Sequence, residues 1–185
     1  EACNMLKAID VANFFIYLLS DKEDEENDLT NMKLNKLTYY AQGQFLKTNG
    51  KPLFSEGVEA WRHGPVVPSV YYAFKENKNN PIKNFSGDFD LSKYTAEEKE
   101  VMLDVAFDKG RYSAITLRNM THKPGGPWAQ SYDGNLFAAI PNDLIKEYFC
   151  KHDVLEPLEL DLSDCEVIGH RDNDGYLVLP KEYDC

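Results

Sequence analysis

No stretch of the sequence stays apolar for the roughly 20 residues a membrane helix needs, and no secretory pattern opens the chain. Both absences read as a cytoplasmic protein with no membrane partner. Met5-Leu6-Lys7 reads as the natural start, leaving Glu1–Asn4 as an added remnant outside the fold. Cysteine is sparse: Cys3, Cys150, Cys165 and Cys185 form no C-x-x-C pair, which argues against a disulfide framework and for reduced thiols. Positive charge is short as well. Lys and Arg number 20 against 31 Asp and Glu, a net −11. Phosphate backbones are held by clustered Lys and Arg, so nucleic acid is disfavoured as a partner. A basic protein would be drawn in by the same charge, although plain solubility explains it equally.

Catalytic signatures are missing too. There is no serine elbow, no zinc-protease motif and no phosphate-binding glycine loop. Cys150-Lys151-His152 is too thin a pattern for a metal site. The expectation is therefore a chain that is not an enzyme and carries no cofactor or metal. His63 and His122 keep one alternative open, a small enzyme using that pair with Arg62, Tyr71 and Trp128 for acid–base work.

What is present is a folded composition, 43% hydrophobic and 12% aromatic over 185 residues, enough for one well-buried domain. Its most informative stretch is Glu59-Ala60-Trp61-Arg62-His63-Gly64-Pro65-Val66-Val67-Pro68-Ser69-Val70-Tyr71-Tyr72. Proline fixes φ and biases the residue before it toward extended backbone, while glycine permits unusual angles. Gly64-Pro65 and Val67-Pro68 therefore define a rigid corner between an extended run and a helix, with Pro68 in that helix's first turn. The corner is either a structural hinge or a recognition surface.

Apolar spacing predicts helices over Ala8–Ser20, from Asn31 as N-cap to Asn49-Gly50, over Pro68 to about Glu76, from Thr95 to Gly110, from Ser113, and over Asn142–Lys151. Thr95-Ala96-Glu97-Glu98 is a capping box. In the second helix Leu34, Leu37, Ala41 and Phe45 face inward, with Lys33, Lys36, Gln44 and Lys47 toward the rim. The acidic run 21–28 reads as a solvated loop or an electrostatic landing site. Residues 77–92 look least ordered by composition, and 121–132 reads as a loop around Pro124-Gly125-Gly126-Pro127-Trp128. Cys165–His170 and Tyr176–Leu179 flank an Asp-Gly turn and read as a β-hairpin. The fold class expected is mainly α with a small β component: a compact helical domain over 5–151 and a C-terminal β-hairpin extension over 152–185.

Three groups of residues carry a family resemblance. They are Leu34-Asn35-Lys36-Leu37-Thr38-Tyr39-Tyr40-Ala41-Gln42-Gly43 with Pro52-Leu53-Phe54, then the corner from Glu59 to Tyr71, then Leu117–His122 with Pro127-Trp128 and Ile145–Phe149. In this order, over about Ala8 to Lys151, they resemble the Panacea domain of SocA-like antitoxins. The resemblance implies a bacterial or prophage, phage-associated protein that neutralises a cognate toxin, encoded by an adjacent gene, by binding it. Delivery of that partner to a protease is the alternative outcome of the same binding.

On this reading the candidate partner-binding residues are Lys36, Tyr40, Trp61, Arg62, His63 and Tyr72. Gly64, Pro65, Pro68, Thr121, His122, Pro127 and Trp128 are motif residues that shape the fold. Aromatics and arginine serve as interface anchors, but they equally fill cores. The helix from Ser113 offers Arg118 and Asn119 to a DNA groove, a weak alternative in so acidic a setting.

Overall fold

Helix α2 (Asn31–Asn49) is the centre of the molecule, and 14 of its 19 residues are buried. A surface helix buries one stripe; this one is enclosed on nearly every side by α1 (Ala8–Leu19), α4 (Ala96–Lys109), α5 (Ala114–Thr121) and α7 (Asn142–Lys151). The structure, a computed structural model, describes residues 5–20, 28–134 and 137–155, and the backbone of 170–171 and 177–178. All of the acidic run except Asp28 lies outside the described residues, as do Cys3, Cys165 and Cys185.

Enclosure corrects two expectations about α2. Thr30, not Asn31, is its N-cap, accepting a hydrogen bond from the Lys33 amide at 3.3 Å. Asn31 is helical and donates from its side chain to the Tyr71 carbonyl at 3.0 Å. Lys33 and Lys36 do not reach the rim: their exposures are 2% and 0%. Gln44 and Lys47 are half-buried. A polar group without water must find a partner, and α2's buried polar side chains find theirs in the backbone of irregular segments. Lys33 Nζ donates to the Gly110 carbonyl at 2.7 Å and to Asp28 at 2.6 Å. Gln42 Oε1 accepts from the amides of Leu53 and Phe54, and its Nε2 donates to the Phe54 carbonyl at 3.2 Å. Asn35 Oδ1 accepts from the Val67 amide at 3.0 Å.

α7 lies close against α2 at Gly43. A Cβ there would stand 2.3 Å from the Phe149 ring, so only glycine lets the ring in. Tyr39 and Tyr40 pack on the same ring edge-on and tilted, at 5.8 and 6.2 Å.

The small sheet joins β1 (Val58–Trp61), β2 (Gly64–Val66) and β3 (Ala138–Ile140), antiparallel in the order β2-β1-β3. Trp61 pairs with Gly64, so Arg62 and His63 form a two-residue hairpin turn. The rigid corner is thus the edge strand and exit of a hairpin, whose tip lies two residues earlier than the prolines suggested. Pro65 fits because β2 is an edge strand, where a missing N–H breaks no ladder. Pro68 is the first residue of α3 (Pro68–Phe74), which continues as one 3-10 turn over Lys75–Asn77.

The Thr95–Glu98 capping box closes in both directions, at 2.8 and 3.3 Å. Ser113 caps α5 through the Thr116 amide at 3.1 Å. Residues 77–92 are irregular, as composition suggested, yet anchored. Ile82 is fully buried with its amide on the Leu29 carbonyl, and Asn13 exchanges two hydrogen bonds with the Ser86 backbone. The expected loop over 121–132 contains a short helix, α6 (Pro127–Ser131), that begins on its proline. Near the C-terminus β4 (His170–Arg171) pairs antiparallel with β5 (Leu177–Val178), which places a hairpin ladder where the sequence suggested one. The rest of that extension lies outside the described residues. Mainly α with a small β component is the fold class observed.

Candidate partner-binding site

Asn35 and Lys36, neighbours on α2, clamp the two ends of β2. Asn35 holds the Val67 amide, and Lys36 Nζ donates to the Pro65 carbonyl at 2.9 Å. Just before Pro65, Gly64 takes φ +102, and a Cβ there would stand 2.7 Å from Lys36 Cε and 2.8 Å from Thr121 Oγ1. Glycine is therefore demanded twice, by conformation and by space. Burial strips water from the Lys36 ammonium, and the nearby Arg118 repels it. Together they lower its pKa from 10.5 to about 7, with burial the larger cause.

A second set of contacts ties the hairpin to the α5–α6 connection. Trp128 Nε1 donates to the Trp61 carbonyl at 2.7 Å. The His122 ring lies on Trp128 with centroids 3.5 Å apart, and Tyr132 stacks on Trp128 at 4.8 Å. His122 Nδ1 meets the Arg118 carbonyl at 2.7 Å, and a carbonyl only accepts, so this nitrogen carries the proton. Burial, the largest influence on His122, lowers its pKa, with Arg118 and Lys36 adding to the fall and the carbonyls opposing it. Thr121, His122 and Trp128 therefore meet the corner in space, about 60 residues apart in sequence, while Pro127 opens the helix that carries Trp128.

So anchored, the hairpin turns an aromatic face outward. Trp61 is half-buried; its Nε1 donates to Glu59 at 2.7 Å. Around it lie Tyr71 at 4.8 Å, Phe137 at 5.7 Å and Tyr72 at 6.3 Å, all in edge-on geometry. Tyr72 is 53% exposed and Phe137 59%. Arg62 and His63 stand exposed at the turn beside them. Lys36 and Tyr40 lie beneath the surface, at 0% and 3% exposure; Lys36 supports the hairpin, and Tyr40 belongs to a separate cavity over α7.

Phe137 was not among the sequence candidates, nor were Tyr132 and Arg118 as supports. Phe137 adopts φ +81, a left-handed conformation that costs a bulky residue about 1–3 kcal/mol. The product of that strain is a ring set against Trp61 and left open to solvent. Among the described residues no group of three His, Cys, Asp or Glu could hold a metal ion, and no described helix is long and apolar enough to cross a membrane.

Fold and site define a class: a mainly helical domain whose central helix positions a stapled, aromatic hairpin. Comparison with known proteins makes the class specific. The chain belongs to the family described as Antitoxin SocA-like, Panacea domain, whose model matches residues 34–129. It is similar to Antitoxin SocA of Caulobacter vibrioides (strain NA1000 / CB15N), 37% identical over 109 residues, which are 54% of this chain and 58% of that relative. The match thus spans little over half of the relative's length. No solved structure matches the chain.

Proposed function

We propose that this protein is an antitoxin that neutralises a protein toxin by binding it directly, through the aromatic face of the hairpin. Family membership and the relative's name support the antitoxin role. The observation that carries the surface is the open cluster of Trp61, Tyr72 and Phe137, with Arg62 and His63 at its edge. Large aromatics and arginine dominate binding energy because they bury much area at little entropic cost. The ties from Asn35, Lys36, His122 and Trp128 hold this face in one shape, so little ordering is left for the moment of binding. Neutralisation in this reading requires no chemistry by the antitoxin, and the partner is the protein encoded by an adjacent gene.

The test is co-expression with that gene product, comparing wild type with the double variant Tyr72→Ala/Phe137→Ala. Loss of an aromatic anchor costs about 2 kcal/mol or more, roughly 30-fold in affinity, while these exposed positions leave melting nearly unchanged. Full protection and wild-type complex formation by the double variant would reject this surface. The absence of any toxicity to relieve would reject the antitoxin role. Partner half-life separates holding from delivery to a protease, because sequestration alone does not shorten it.

A further inference from the structure

A cavity of about 810 Å³ opens between α2, the Gly125-Gly126 turn and α7, and nothing in the hairpin surface uses it. Its floor is unusual. Tyr39 and Tyr40 are each 3% exposed, and neither hydroxyl has a hydrogen-bond partner among the described residues. Among the described residues Gln44 Oε1 is the side-chain polar atom closed off without a partner, so the two phenolic hydroxyls reach the cavity, where they are donors open to a ligand. Burial raises the pKa of both phenols, with Tyr40 and Tyr148 adding to the rise at Tyr39, and Tyr148 and Asp108 adding to it at Tyr40; both stay protonated, hence donors.

The same wall carries positive charge. Lys109, 5% exposed, lines the cavity with its ammonium 5.5 Å from the Tyr40 ring centre. Its ammonium pairs with Asp108 at 2.7 Å, a carboxylate that Arg111 shares at 3.3 Å. Exposed Lys123 also lines the cavity and makes no ion pair among the described residues. Asp153, the acidic lining residue, lies 3.8 Å from Lys47. Beside the charged end, Tyr148 and His152 stack at 4.3 Å and form a flat apolar wall.

The geometry points to a binding site for a phosphomonoester with a planar body, of the size of a mononucleotide. Four donors, Tyr39, Tyr40, Lys109 and Lys123, exceed what the two oxygens of a carboxylate need and suit the three terminal oxygens of a phosphoryl group. The volume falls in the range of small-molecule pockets and far exceeds what inorganic phosphate fills. The Tyr148–His152 wall offers the rest of the ligand a stacking surface.

Titration calorimetry of the intact protein with adenosine 5′-monophosphate tests the assignment, with inorganic phosphate, adenosine and succinate as the other arms. The nucleotide should bind, phosphate should compete with it weakly, and adenosine and succinate should bind at least tenfold more weakly. Tyr39→Phe/Tyr40→Phe and Lys123→Ala should each weaken the nucleotide by about tenfold, the value of a charge-assisted hydrogen bond or so. The tyrosine pair should melt no lower than wild type, because those hydroxyls bond to no other group among the described residues. No nucleotide binding at millimolar concentration, equal binding of adenosine or succinate, or wild-type affinity in both variants would each overturn the assignment. None of these outcomes depends on a toxin.

Discussion

Replacing Lys36 with methionine separates the two things this lysine does. Its nitrogen donates to the Pro65 carbonyl at 2.9 Å, and its charge sits without water beside Arg118. In the unfolded chain the amine titrates near 10.4; in the fold it titrates at about 7. Between those values the unfolded state binds more protons than the folded state, so the lysine's contribution to stability rises with pH. Below pH 7 both states carry the charge, and the cost of burying it is constant and full. Above pH 7 the folded state releases the proton while the neutral amine still donates to Pro65, and the cost is relieved by about 1.4 kcal/mol per pH unit.

Methionine fills similar volume, has no charge, and leaves the Pro65 carbonyl without its donor, a penalty of about 1–3 kcal/mol independent of pH. The stability of wild type minus that of Lys36→Met, whichever is ahead at pH 7, should therefore rise by about 2–3 kcal/mol between pH 7 and pH 9. Urea unfolding of both proteins at several pH values measures it, because other titrating groups cancel in the difference. A signed difference that stays flat, or falls as pH rises, would refute the buried, depressed lysine.

Two further outcomes follow from the core. Gly43→Ala puts a methyl into the Phe149 ring and should cost about 1–3 kcal/mol, read by thermal melting; Phe149→Leu in the same chain should recover part of that loss. Gln42→Leu keeps the volume but leaves the amides of Leu53 and Phe54 without the oxygen they share, and denaturant unfolding should show a loss of about 2–4 kcal/mol, with little change expected if water replaces it.

The elements legible in the sequence are those whose signals are local. Thr95 with Glu98 and Ser113 with Thr116 mark helix starts through contacts three residues apart, and α1 and α7 display their apolar spacing openly. The buried polar set of α2 was not legible. Lys33 reaches a carbonyl 77 residues away and Lys36 one 29 away, and nothing in the spacing of a lysine announces such a partner. β3 was missed because three residues, Ala138–Ile140, carry no periodicity, and their partner strand lies some 80 residues earlier. α6 was hidden because Pro-Gly-rich sequence signals turns, and its five residues are too few to show a helical period. The meeting of the corner with residues 121–128 entered the sequence reading only as part of the acid–base alternative built on His63, His122, Arg62, Tyr71 and Trp128; the Trp128–Trp61 hydrogen bond supplies its physical cause.

The close seat of Phe149 on Gly43 bears on how this module can be moved between proteins. The family model matches residues 34–129, so the match opens inside α2, past the Thr30 cap, and closes inside α6. Neither edge is a place where a chain can be cut. A graft confined to those residues would bare the flank of α2 that Phe15 and Phe149 cover and would leave Gly43 facing water. The transplantable piece is larger than the recognisable one, reaching from the strand-like entry at Leu6 to the end of α7. What the flanks must supply is therefore a shape: a helix on either side, one of them ending in a ring for the glycine.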